Sequence, residues 1–111
     1  MSIRVLVASL VVAAPAVLLA HHSTPLYDMT KPVTVEGPLT DVKFRFPHVT
    51  ANVKWQNKIW KVTFPPPTVV AGWGVTREML ASKAVTIVGH VRKDGKAEIR
   101  VGRVTVNGKT F

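Results

Sequence analysis

The sequence contains no cysteine. Disulfide staples, zinc–thiolate sites, iron–sulfur clusters and cysteine nucleophiles are therefore excluded. Acidic residues are scarce, 6 against 15 Lys and Arg, giving a formal charge of +9. No two of the acids make a convincing acid–base pair. Gly-x-Ser-x-Gly is absent, and beyond the first twenty residues the only serines are Ser23 and Ser82, so serine hydrolysis has no visible machinery. No glycine loop resembles a phosphate cradle, and there are no internal repeats or low-complexity segments. No enzyme is expected from these residues. Charged residues make up 19% and apolar residues 47% of the 111, the balance of one folded domain rather than a disordered polyelectrolyte.

What is present begins with an address. Met1–Arg4 carries one positive charge, Val5–Leu19 is apolar apart from Ser9, and Ala20 follows. That is the order of a secretory signal, and the run is short for a bilayer span. Two cuts are open. Cleavage after Ala20 uses the whole apolar run; cleavage after Ala16 has the better small-x-small pattern with Ala14. An uncleaved anchor is the remaining alternative. The first is preferred, giving a signal over 1–20, an extended arm over 21–31 and a domain over 32–111, located in the periplasm or secreted. Export makes nucleic acid an unexpected partner despite the charge. An anionic envelope component fits better, and the charge also serves simple solubility. A monomer is expected.

Alternation of apolar residues predicts strands through the rest of the chain. Val33 and Val35 share one parity, and Val42, Phe44 and Phe46 the other, which places a bulge between Gly37 and Asp41. Val49–Trp55 and Trp60–Phe64 flank a turn at Gln56-Asn57-Lys58 and form a hairpin. Pro65-Pro66-Pro67 ends the second of these strands. Thr68–Gly74 reads as helical turn or loop, and Thr76 as the N-cap of a short helix. Val85–Val91 and Ala97–Val106 flank Asp94-Gly95, a hairpin signal, with a second parity flip at Gly102. Lys109–Phe111 adds a short last strand after Asn107-Gly108. Three strands, a helical connection and two more strands give a mostly β protein, a small OB-like barrel of five or six strands. A β-sandwich-like sheet is the competing arrangement.

A set of ordered short motifs runs along the chain. They are Ala20-His21-His22-Ser23, Tyr27-Asp28, Lys31-Pro32-Val33-Thr34-Val35-Glu36-Gly37 and Pro47-His48, then Trp60, Pro65–Pro67, Gly74-Val75-Thr76-Arg77, Val85–Gly89, Lys93-Asp94-Gly95 and Asn107-Gly108-Lys109. In this order the chain resembles domain-of-unknown-function family 6152, small exported bacterial proteins. It departs at Phe46, where the family usually has Asn, and at Val75, where it usually has Trp. The resemblance implies export and fold, while the family's name declares no known activity.

Two binding readings follow from the residues. After cleavage at Ala20, His21 would offer its α-amine and ring Nδ1 to one metal ion, and a second imidazole would complete a three-nitrogen set suited to Cu(II). His48 is the first candidate for that imidazole, then His22 or His90. In a strand-like arm His21 and His22 point to opposite sides, and His90 reads as structural or solvated. Asp28 is either an orienting partner for a histidine or an ordinary arm acid. The second reading is a basic face of Lys43, Arg45, Lys54 and Lys61, with Trp73 as the exposed stacking group, docking an anionic partner. Parity assigns Trp55 and Trp60 to the core. Copper is the one cofactor contemplated.

Overall fold

A computed structural model describes residues 26–111, Lys83 excepted. The expected signal, both candidate cleavage sites, and His21 and His22 lie outside the described residues. The strands are β1 (Val33–Glu36), β2 (Thr40–Lys43), β3 (Thr50–Trp55), β4 (Lys58–Thr63), β5 (Val85–Val91), β6 (Glu98–Val106) and β7 (Lys109–Thr110). Two short helices, α1 (Pro67–Gly72) and α2 (Arg77–Leu80), lie between β4 and β5.

The sheet order is β1-β5-β6-β4-β3-β2, with β7 paired to β6. All neighbours are antiparallel except β4 and β6, where Val62 faces Ile99 in a parallel ladder. A parallel pair needs a crossover, and the two helices together with β5 supply it. The first and last strands of the order are the two halves of one run, joined by residues 37–39. The result is the expected OB-like, mostly β architecture, a curled sheet.

The expected bulge in the first run is a larger break. β1 ends at Glu36 and pairs with β5, whereas β2 starts at Thr40 and pairs with β3. A further register shift falls between Thr40 and Lys43, where Asp41 has φ +50. A change of parity thus marks a change of partner. The second flip is a true bulge: Val88 faces Arg103 and Gly89 faces Val101, leaving Gly102 as the extra residue.

Alternation places one residue in two from each long strand in a shared core. Ala51 and Val53, Trp60 and Val62, Val85 and Ile87, and Ile99, Val101, Val104 and Val106 are all buried. Val70 of α1 and Leu80 of α2 are buried in the same core. Thr76 is the N-cap of α2, its Oγ1 accepting from the Met79 N–H at 3.2 Å. The ambiguous Thr68–Gly74 segment is helical, opened by Pro67 at its first turn. Gln56 and Asn57 both have positive φ, as a tight two-residue β3–β4 turn requires. Trp60 is in the core as parity implies, while Trp55 is half-buried, with the two rings 5.0 Å apart.

Gly89 permits a close approach of β5 to β6. A Cβ there would lie 2.3 Å from the Arg100 carbonyl oxygen and 2.8 Å from Ile99 Cγ2. Only glycine lets β5 settle against β6 at this level.

Candidate functional site

The end of the arm is part of the fold. Tyr27 forms a β-bridge with Arg92 at the end of β5. The Asp28 N–H donates to the Val91 carbonyl at 2.8 Å, and the Lys93 N–H donates to the Leu26 carbonyl at 3.1 Å. Asp28 also accepts from the Thr30 N–H at 3.0 Å, an Asx-type turn that leads the chain into β1. The Thr30 hydroxyl and then the Thr30 N–H hold the Asp28 carboxyl below its ordinary value.

This docking sets Tyr27 over the outer face of β4 and β6. Its hydroxyl donates to Glu98 Oε2, which also accepts from Thr63 Oγ1 at 3.1 Å. Glu98 Oε1 lies 3.8 Å from Arg92 Nη1. Arg92 is forked onto Asp94, with Nε 3.0 Å from Oδ1 and Nη2 bonded to Oδ2. Arg92 and Arg100 flank the tyrosine ring, their guanidinium carbons 5.9 and 6.0 Å from its centroid. Burial, then the hydrogen bond to Glu98 and the Glu98 charge, push the Tyr27 phenol above its ordinary value. The Arg92 hydrogen bonds hold the Asp94 carboxyl far below the usual carboxylate range, and Asp94 pushes the Arg92 guanidinium up.

Beside this network opens a cleft of about 340 Å³. Tyr27, Thr63, Arg100 and His48 form its polar lining, and Phe64, Pro65, Pro66 and Val101 its apolar one. His48 is exposed and immediately precedes Val49, whose N–H donates to the Pro65 carbonyl at 3.3 Å. The Pro-rich end of β4 therefore fixes the backbone beside His48. A cleft of this size is at the small end of ligand pockets, about 300–1,000 Å³.

The structure brings His48 to this cleft together with the arm. Among the described residues no group of three His, Asp or Glu side chains could hold a metal ion, so three-nitrogen coordination at His48 depends on the N-terminal histidines. His90 stands on β5, half-buried, opposite Arg100.

The basic face is more dispersed than a docking patch. Lys43, Lys54 and Lys61 are exposed on β2, β3 and β4, at the levels of Thr50, Lys54 and Asn52 of the central strand. Four residues of strand separate the outer two levels, about 13 Å. Lys43 is 3.6 Å from Asp41, and exposed Arg45 follows β2 in the loop to His48. Trp73 corrects an expectation: it is half-buried against the core, not an exposed platform. It follows the end of α1 directly, its backbone N–H donates to the Val69 and Val70 carbonyls, and its side chain packs against the core.

Sequence reasoning missed Glu98, Arg92 and Arg100 as site residues. Glu98 and Arg100 read simply as the polar alternates of β6, and nothing local ties them to Tyr27. The Tyr27-Asp28 pair was the available signal.

Fold and site together define a small OB-like β protein with a ligand-sized cleft beside its docked N-terminal arm. The chain belongs to the family of unknown function DUF6152, whose model matches residues 7–101. No curated protein and no solved structure matches it.

Proposed function

We propose that the protein is an exported copper-binding protein in which His21 and His48, supported by His22, hold one Cu(II) ion at the mouth of the cleft. The observation that supports this reading is the docking of Leu26, Tyr27 and Asp28 onto the end of β5, against the cleft that His48 lines. Only six positions separate His21 from Tyr27. An extended chain covers at most about 3.6 Å per residue, so His21 is tethered within about 22 Å of Tyr27. Tethering raises the effective concentration of its nitrogens at His48. Cleavage after Ala20 frees the His21 α-amine, and amine, Nδ1 and a second imidazole make a nitrogen set that Cu(II) favours. The role is capture or carriage in the periplasm or outside the cell.

The intact mass of the exported protein establishes the cut. Copper(II) titration of the chain beginning at His21 is then compared with a chain carrying one extra N-terminal alanine and with His48→Ala. The wild type is expected to bind one ion, and each change to weaken binding at least about tenfold, about 1.4 kcal/mol. Equal binding by the extended chain removes the α-amine as a ligand, and equal binding by His48→Ala removes the cleft.

A further inference from the structure

The cleft also has a charge that its own residues do not answer. Arg92 is committed to Asp94 and Glu98. Glu98 is in turn engaged by Tyr27, Thr63 and Arg92. Arg100 lines the same cleft, yet none of the ion pairs among the described residues includes it. Its guanidinium carbon lies 6.0 Å from the centre of the Tyr27 ring, and among the described residues its N–H groups make no side-chain hydrogen bond. Its backbone is fixed by the close approach of Gly89 to the Arg100 carbonyl. A guanidinium without an ion-pair partner is a ready receptor for a carboxylate, and exposed Arg100 holds that place at the edge of the cleft.

The remaining lining selects among anions. Half-buried Pro65 and Pro66 present apolar surface beside Arg100, over the buried Phe64 and Val101. A bare inorganic anion would leave that surface unused, whereas a carboxylate carrying a compact apolar group would cover it. The volume suits one small molecule rather than a polymer. We infer that the cleft binds a small organic monocarboxylate, its carboxylate on Arg100 and its apolar body against Pro65, Pro66 and the Tyr27 ring. This site uses no metal and stands independently of the copper reading.

Benzoate is the probe, titrated into the mature chain with a chelator present so that copper plays no part. Acetate and inorganic phosphate are the comparators, followed by amide chemical shifts. Benzoate is expected to saturate at millimolar concentration or below, moving the Thr63, Phe64 and Val101 amides. Acetate and phosphate should bind at least about tenfold more weakly. Arg100→Gln should weaken benzoate at least tenfold, and Lys109→Gln, a charge change on β7 away from the cleft, less than twofold. Arg100→Lys keeps the charge but not the fork, and should lose several-fold; it carries the test if Arg100→Gln does not fold. Absence of saturable shifts below about 10 mM benzoate overturns the inference. So does unchanged binding by folded Arg100→Gln or Arg100→Lys, or phosphate binding as tight as benzoate.

Discussion

The Tyr27 hydroxyl donates to the Glu98 carboxylate across 71 positions of sequence. This one bond joins the N-terminal arm to the start of β6, and through Glu98 to Thr63 of β4 and Arg92 at the end of β5. Tyr27, at the described end of the arm, is thereby part of the cleft's wall.

Tyr27 is the only tyrosine in the chain, so its ionisation can be read from the ultraviolet tyrosinate band. Its pKa is raised, so the neutral phenol is the form that docking favours. Docking is therefore fully present below the ordinary value of about 10 and is lost as pH rises through the higher folded value. The wild type is expected to titrate above 10. Glu98→Gln should move the midpoint down but not fully back, because burial, the largest cause, remains. A wild-type midpoint at or below the ordinary value contradicts the docked geometry.

Copper affinity should depend on a residue that binds no copper. Tyr27→Ala removes the ring and hydroxyl that hold the arm, leaving His21 and His48 intact. It should lower affinity by about tenfold or more through loss of effective concentration alone. Isothermal titration at fixed pH measures this. A Tyr27→Ala protein that binds as the wild type does would separate the arm's docking from metal capture.

Gly89→Ala should be severely destabilising. The added methyl would meet a backbone carbonyl at 2.3 Å, and neither β5 nor β6 can retreat without parting the ladder. Overpacking of this kind costs about 1–3 kcal/mol or more, which lowers Tm by at least about 4 °C in a domain of this size. Gly95→Ala serves as a comparison at a positive-φ turn with open space around it. Thermal denaturation should place Gly89→Ala clearly below it.

The Arg92–Asp94 pair gives a pH signature of the opposite sign to Tyr27. The Asp94 carboxyl is depressed, so its contribution to stability is present above the unfolded value near 4 and is lost as pH falls through the folded one. The gap in Tm between wild type and Asp94→Asn should be constant near neutral pH. It should narrow progressively below about pH 4. A gap that is unchanged across the acidic range means that Asp94 ionisation does not contribute.

Alternation made most of the barrel legible, because each strand with one buried face announces itself at period two. The Gly102 bulge, the Thr76 cap and the turns at Asn57 and Asn107 were readable from single residues whose backbone chemistry is distinctive. Partner choice was not readable. Nothing in the parity flip near Gly37 says that one half of the run will pair with β5 and the other with β3. The same limit hid the site. His48 stood out as a lone imidazole after a proline, but Glu98 and Arg100 take their meaning from a tyrosine more than seventy residues away. Trp73 was misplaced because proline and glycine around it suggested an open loop, whereas it caps α1 and packs against the core.

The break at residues 37–39 leaves both borders of the sheet in the hands of one short stretch of chain. That economy makes the stretch a single point of failure: a protease cut at that corner would loosen the barrel from two sides together.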